Sequence, residues 1–559
     1  MKLISKTQSI CPVCHRPVDA YYMQEDNGTA DDCCCGDANV RVFFVQECPE
    51  HGRFKTLAAE RADDFKEWVK NPVVNIPPRQ VITRGVELSY GCNNNEQNKA
   101  PIRSEFGSEC PLHCGPCQNH LQTACCVLID VTQRCNQNCP YCFALAGDAV
   151  DPNEPTLEEI SAKYDWLLQQ GEEGREFNIQ LSGGEPTVRE DLPDIIHMAR
   201  EKGFSYVQIN SNGRRLAEEE GYAQVLKDAG ASVIFMQFDG TRDDIYMKLR
   251  GEPLFEKKVQ AIRNCEKAGL AVTLVPTVVR GVNDDNIGEI MDFLVENVNV
   301  VKGVHFQPVS FFGRYPDGDE LDGRITMFGL LRELEAQRPE FKYTDSLPIS
   351  TGHTLCCFYS TYIKEPDGSV RCTLSQKQRQ EGVSCRDTQN ASCCEPPEPC
   401  CCDTAAPEDC CCGEDTEPCC CEPPEPCCCE PGSGVVSVGC CDMTQADQLE
   451  VIKKDRDYVL DKWDIKIPEK NCDGCGGTGS GLEESAFAQY DFSKYRTAEE
   501  ITDLDEFLAY YKRNTFTVTG MAFQDLTNLD AERLKRCRVV QLTDDFRLIP
   551  FCAYNTIYR

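Results

Sequence analysis

The chain has 559 residues, 57 Lys and Arg against 91 Asp and Glu, a formal net charge of −34, and 40 cysteines. That length favours about three or four domains over one. The acidic balance argues against a nucleic-acid partner, whose binding rests on neutralising phosphates with Lys and Arg. No run of about 18 apolar residues is present to span a membrane, and the opening Met1-Lys-Leu-Ile-Ser-Lys-Thr-Gln8 lacks the apolar core of an export signal. Cysteines at this density without such a signal point to metal ligation in a reducing cytoplasm, not to disulfides. Because oxygen damages exposed metal clusters, an anaerobic setting is expected.

Residues 1–75 read as a small metal-binding domain. Cys11-Pro-Val-Cys14 precedes a strand-like Val40-Arg-Val-Phe-Phe-Val45 and then Cys48-Pro-Glu-His-Gly52. A CxxC knuckle with a later cysteine outlines a tetrahedral mononuclear iron or zinc site. His51 and Cys92 are both candidates for the fourth ligand, and a structural zinc ribbon is the plainer reading. Residues 76–126 carry Cys110-Pro-Leu-His-Cys114-Gly-Pro-Cys117 and then Cys125-Cys126. Cys110, Cys114, Cys117 and Cys125 can complete a closed four-cysteine cluster. Cys125 and Cys126 can trade places in it, and zinc is the alternative occupant.

Residues 127–315 alternate strand and helix. The apolar runs fall at 127–132, 177–181, 206–209, 233–238, 272–275 and 304–307, with helical periodicity between them. One helix opens on a capping box, Thr156-Leu-Glu-Glu159; others cover about 191–202, 216–229, 254–268 and 285–297 by the same periodicity. Six strands separated by helices predict parallel βα units with right-handed crossovers, closing into a partial (β/α)6 barrel of α/β class. Just past the first strand comes Cys135-Asn-Gln-Asn-Cys139-Pro-Tyr-Cys142. Iron–sulfur clusters are normally held by four thiolates, so this CxxxCxxC loop leaves one iron of a [4Fe–4S] cluster without a protein ligand. An open iron implies chemistry. Ser182-Gly183-Gly184-Glu185-Pro186-Thr187 follows the second strand, where glycines let a backbone approach a ligand closely and Glu185 can receive an ammonium group. Asn210-Ser211 after the third strand and Asp239 after the fourth fall on the same rim. Cys265 and His197 read as structural; His305 does too, although on a strand it can face the barrel interior.

Beyond the barrel, residues 316–392 and 431–559 are less regular, with scattered cysteines. Cys357, Cys372, Cys537 and Cys552 are candidates for a further cluster. Between them, residues 393–430 are of low complexity: cysteine triplets alternate with proline and acidic residues, and the stretch has eleven acids and no base. Such a composition cannot form a packed core. It reads either as a neutral insertion, echoed by Asp32-Cys-Cys-Cys-Gly-Asp37, or as a soft-metal buffer.

The CxxxCxxC loop followed by Gly183-Gly184-Glu185-Pro186 resembles the radical S-adenosylmethionine (SAM) superfamily. Cys11-Pro-Val-Cys14, Cys48-Pro-Glu-His-Gly52, the Cys110–Cys117 motif, Gln237-Phe-Asp-Gly240, Phe306-Gln-Pro-Val-Ser310 and Ile549-Pro-Phe-Cys-Ala-Tyr-Asn555 further resemble the group of tetraether lipid synthases and methanopterin-type radical methylases. The resemblance implies that SAM fills the open iron on Cys135, Cys139 and Cys142 and is contacted by Gly183, Gly184, Glu185, Asn210, Ser211 and Asp239. It implies cleavage of SAM to a 5′-deoxyadenosyl radical that attacks an unactivated C–H bond. The outcome is carbon–carbon bond formation on a lipid chain or methylation of a cofactor. It also implies a rubredoxin-like iron site on Cys11, Cys14 and Cys48, auxiliary [4Fe–4S] clusters, and a ferredoxin or flavodoxin as electron donor. Near 350 the group has an earlier cysteine where this chain has Ser350 and Thr351, so the second auxiliary cluster is weakened. An acidic chain is poorly matched to an anionic membrane, which leaves only peripheral membrane contact for a lipid substrate. The competing reading is an iron–sulfur electron-transfer or metal-storage protein, for which the three-cysteine loop and the Gly-Gly-Glu-Pro segment have no use.

Overall fold

The computed structural model describes residues 1–25, 40–75, 82–83, 86–87, 111–112, 120–147, 154–170, 177–316, 323–373 and 510–559. The expectations for Cys33–Cys35, Cys92, the 393–430 tract and the cysteines at 472 and 475 lie outside these residues. At the N-terminal end, strands β1 (Lys2–Ile10), β2 (Pro17–Gln24), β3 (Val42–Cys48) and β4 (Gly52–Ala59) form an antiparallel sheet in sequence order. Strand alternation decides which side chains are covered: β2 buries Val18, Ala20 and Tyr22 and turns Asp19 outward. The helix α1 (Ala62–Trp68) then places Trp68 edge-on to Phe328 at 5.8 Å. Through this contact the small sheet shares one apolar core with the barrel.

The barrel strands are β5 (Cys126–Thr132), β6 (Asn178–Gly183), β7 (Val207–Ser211), β8 (Val233–Gln237), β9 (Ala271–Val275) and β10 (Val301–Pro308). Each pairs in parallel with the next. The connecting helices are α2 (Leu157–Gln170), α3 (Leu192–Glu201), α4 (Arg214–Glu218), α5 (Tyr222–Asp228), α6 (Asp243–Arg250), α7 (Phe255–Ala268) and α8 (Ile287–Glu296). This is the expected six-unit partial barrel, with two differences. The helix expected over 216–229 is split, because Gly221 at φ +88° restarts the chain as α5. Helix α6 was not expected from the pattern; it is short, and buries the cationic Arg250 together with Ile245, Tyr246 and Leu249.

The described residues of the C-terminal region form more regular structure than the sequence predicts. After α9 (Met327–Gln337), it supplies β11 (Cys357–Lys364), β12 (Thr515–Met521), β13 (Val539–Leu542) and β14 (Leu548–Pro550). The sheet runs β11-β12-β10-β9-β8-β7-β6-β5-β13-β14. Thus β12 lies parallel to β10 and β13 parallel to β5, so the region covers both open edges of the partial barrel. Residues 522–534 also carry the N-terminal sheet. Gln46 Nε2 donates to the Leu526 carbonyl at 2.9 Å, and Thr7 Oγ1 and Tyr22 OH donate to Asp530 at 2.6 and 2.8 Å.

Candidate active site

The chain leaves the C-terminal end of β5 as the loop bearing Cys135, Cys139 and Cys142. All three cysteines line one cavity of about 410 Å³ at the C-terminal ends of the parallel strands. The loop is pinned from several sides. Cys135 N donates to the Gly147 carbonyl at 2.7 Å, and Cys142 and Arg314 exchange backbone hydrogen bonds of 2.9 and 2.8 Å. Arg314 Nε donates to the Cys139 carbonyl at 2.8 Å, and Arg250 Nη1 to that of Tyr141 at 2.9 Å. Burial pushes the Cys135 thiol up to about 12, with the Glu185 charge adding to it. Thiols in that state need bound cationic iron to become thiolates. Cys126 also lines the cavity, but at the other end of β5, about 20 Å down the strand at the usual rise. Three thiols together, with an open face toward the cavity, fit a cluster whose fourth iron has no protein ligand.

The glycines of the second motif act on the protein's own backbone. Gly183 has φ +117°, and a Cβ there meets the Thr132 carbonyl oxygen at 2.0 Å; a Cβ on Gly184 meets that of Arg134 at 2.2 Å. Gly184 N and Glu185 N donate to those same two carbonyls at 2.7 and 2.9 Å. The close approach expected toward a ligand is therefore made, within the described chain, between β6 and the start of the cysteine loop. Glu185 is 1% exposed and accepts from Thr187 N, Thr187 Oγ1, Ser211 Oγ and Asn212 N. Burial raises its pKa, and these donors oppose the shift. Asn212 Nδ2 reaches Asn136 Oδ1 at 2.7 Å, so the loops after β5, β6 and β7 form one hydrogen-bonded rim. Glu185, Asn210 and Ser211 all line the cavity.

Asp239 departs from the expectation that it contacts a cofactor. It is fully buried, and its carboxylate receives Arg250 through two hydrogen bonds of 2.7 and 2.8 Å and the Thr277 N–H at 3.1 Å. Arg250, not Asp239, lines the cavity. Removing one partner strands a buried charge. Arg250→Leu is expected to destabilise the protein by about 3–5 kcal/mol, with Arg250→Leu/Asp239→Asn recovering part of the loss. Urea denaturation of the two variants checks this, and equal stability of Arg250→Leu and the parent would sink it. The sequence alone did not single out Arg250, Arg314 or Gln307, whereas His305, read as structural or facing the barrel interior, does reach the cavity. For Gln307 a signal existed: two residues beyond His305 on one strand, it shares that residue's face.

Cys11, Cys14, Cys48 and His51 bring their ligand atoms within 4.8 Å of one another, so the structure favours His51 as the fourth member. Cys110, Cys114 and Cys117 lie outside the described residues, whereas Cys125 begins the approach to β5 through a 3.0 Å hydrogen bond to the Arg538 carbonyl. The C-terminal grouping needs correction. Cys372, on the short strand Val370–Cys372, pairs with Tyr362, about 17 Å along β11 from Cys357 at the usual rise. Cys356, not Cys357, meets Arg533 at 3.4 Å, and it lies near enough to Cys537 and Cys552 for a thiolate there to raise the pKa of both. Cys357, the first residue of β11, is buried.

A parallel partial barrel with a three-cysteine loop and a glycine-backed carboxylate rim at its C-terminal face defines a radical SAM enzyme. The sequence pattern of the radical SAM superfamily matches residues 129–294, and that of the HMPTM N-terminal zinc ribbon domain matches residues 3–60. The chain is 30% identical over 559 residues to the 7,8-dihydro-6-hydroxymethylpterin dimethyltransferase of Methanocaldococcus jannaschii, covering 99% of this chain and 94% of that one. The chain belongs to the radical SAM superfamily, in the family of that dimethyltransferase. It is also 36% identical over 172 residues to the Fe-coproporphyrin III synthase of Methanosarcina barkeri, across 30% of this chain and 41% of the relative. Among solved structures, Streptococcus suis SuiB bound to S-adenosylmethionine aligns over 39% of this chain and 48% of its own, with a TM-score of 0.32 and 16% identity. Among the described residues, no helix is long and apolar enough to cross a membrane.

Proposed function

We propose that the chain methylates carbon on a pterin-type heterocycle. The observation that carries this reading is the mixed lining of the cavity. Gln180, Asn210, His305 and Gln307 project into it from the barrel strands, and Phe235, Val275, Met521 and Phe523 supply apolar walls. A cavity with apolar walls and a few fixed polar groups suits a flat, nitrogen-rich bicycle. A long lipid chain finds no use for these polar side chains, and leaves the hydrogen-bonding capacity they turn to the cavity unmet at a cost. Similarity to the pterin dimethyltransferase along nearly the whole chain supports the same choice.

On this reading Cys135, Cys139 and Cys142 hold the [4Fe–4S] cluster, and Glu185, Asn210 and Ser211 receive SAM, with Gly183 and Gly184 shaping the rim. Cluster and SAM together, when bound, supply the 5′-deoxyadenosyl radical that abstracts hydrogen. The chain's own part is positional. Arg250 and Arg314 fix the cysteine loop through the carbonyls of Tyr141, Cys139 and Ala146. Phe523 and Phe551, whose rings lie 4.8 Å apart, wall the cavity. Cys11, Cys14, Cys48 and His51 form a zinc site, since a Cys3His set is one that structural zinc favours. Cys110, Cys114, Cys117 and Cys125 hold one auxiliary cluster; Cys356, Cys537 and Cys552 contribute to another. A ferredoxin or flavodoxin in an anaerobic cytoplasm delivers the electron.

The test is anaerobic incubation of the reconstituted enzyme with dithionite, SAM, a reduced pterin one-carbon donor and 7,8-dihydro-6-hydroxymethylpterin. Formation of 5′-deoxyadenosine together with a methylated pterin by mass spectrometry is expected. Turnover of an isoprenoid lipid with no change in the pterin would overturn the reading.

A further inference from the structure

The cavity contains one side chain whose hydrogen-bonding polarity its strand neighbours favour. His305 lies on β10 beside Thr519 of β12, its register partner. Its Nδ1 is 2.8 Å from Thr519 Oγ1, and that hydroxyl donates its own proton to the Val304 carbonyl at 3.2 Å. A hydroxyl has one proton. Both contacts are hydrogen bonds at once in a single arrangement, with Thr519 giving its proton to Val304 and accepting from His305 Nδ1–H. The neutral ring then carries a bare lone pair on Nε2. Burial lowers the His305 pKa to about 4, which keeps the ring neutral at ordinary pH. His305 lines the cavity, and Nε2 has no protein partner among the described residues. Phe235 stands beside it with a centroid separation of 5.7 Å.

We infer that His305 orients the substrate: its Nε2 accepts a hydrogen bond from a ring N–H or amino group of the heterocycle, whose plane rests near Phe235. This inference rests on the pterin reading of the cavity. The neighbouring amides, Gln180 and Gln307, can each present either a donor or an acceptor. His305 in this tautomer can only accept, so it discriminates which edge of the ring system enters. Thr519 acts through it as a positioning residue. That strand follows the 393–430 tract in sequence, so the C-terminal region supplies the residue that favours this tautomer.

The experiment measures anaerobic binding of two probes to reconstituted protein by quenching of pterin fluorescence. One probe is 7,8-dihydro-6-hydroxymethylpterin; the other is its analogue with the ring N–H and amino donors methylated. The parent protein is expected to prefer the first by about tenfold or more, the size of one buried hydrogen bond with its partner left unpaired. His305→Leu is expected to weaken the first probe and abolish the preference. His305→Gln, which can still offer an acceptor oxygen, is expected to restore part of it. Thr519→Val keeps the shape of the side chain but frees the tautomer, and is expected to reduce the preference severalfold without touching either probe. A purely structural role for His305 lowers stability without changing the ratio between probes. If the parent protein binds the pterin and His305→Leu keeps the full preference, the assignment to His305 is overturned while the pterin reading stands. If the parent protein binds neither probe, the pterin reading fails and the inference with it.

Discussion

Replacing Cys135, Cys139 and Cys142 together by alanine is expected to reduce 5′-deoxyadenosine formation to the level of a protein-free control. The three side chains share one cavity, and a cluster iron without its thiolate has no substitute ligand in this loop. Because the loop's backbone is pinned by Arg250, Arg314 and Gly147 rather than by the thiols, the variant is expected to keep its fold. Cys265→Ala is the control. That thiol is fully buried in α7, remote from the cavity lining, and burial pushes its pKa up to about 12. Its loss is expected to cost only stability, about 1 kcal/mol for a small buried side chain. Iron content, the cluster's absorption and the assay of 5′-deoxyadenosine read out both variants. Product from the triple variant at the parent rate would remove the loop from the chemistry.

The second large effect is expected from Gly184→Ala. The added methyl lies 2.2 Å from the Arg134 carbonyl oxygen and 2.7 Å from its carbon, so two stretches of backbone must separate. Those stretches are β6 and the start of the cysteine loop, joined there by the hydrogen bonds of Gly184 and Glu185. Overpacking combined with the loss of two backbone hydrogen bonds places the expected cost at about 4 kcal/mol or more. Cluster retention is expected to fall with it. Gly147→Ala is the matched substitution, since nothing lies within 4 Å of a Cβ there, and is expected to change stability by less than about 0.5 kcal/mol. Thermal unfolding and iron content of the two variants decide the matter; equal values for both would show that the rim tolerates separation.

The barrel was legible because its strands are buried on both faces and its helices on one, so periodicity marks each element. All six strands fall within a few residues of their expected bounds. The cysteine loop was legible because its ligands are contiguous in sequence. The grouping of the C-terminal cysteines was not. Cys356 and Cys357 are adjacent, and only the direction of the backbone entering β11 decides which of them meets Arg533 and lies near Cys537 and Cys552. Asp239 shows the same limit. Its place after a strand marks the rim, but its partner Arg250 comes from the end of α6, and no local period links the two.

The sequence by itself determined the superfamily, the partial barrel, the three thiols and the small N-terminal metal site. Those features are written locally, in ligand spacing and in the periods of helix and strand. The tertiary structure alone decided that β12 and β13 flank opposite edges of the barrel, that Gly183 and Gly184 serve a backbone-to-backbone contact, and that Thr519 meets His305. Each of these joins residues far apart in the chain, and no local period encodes which distant partner a buried polar group meets.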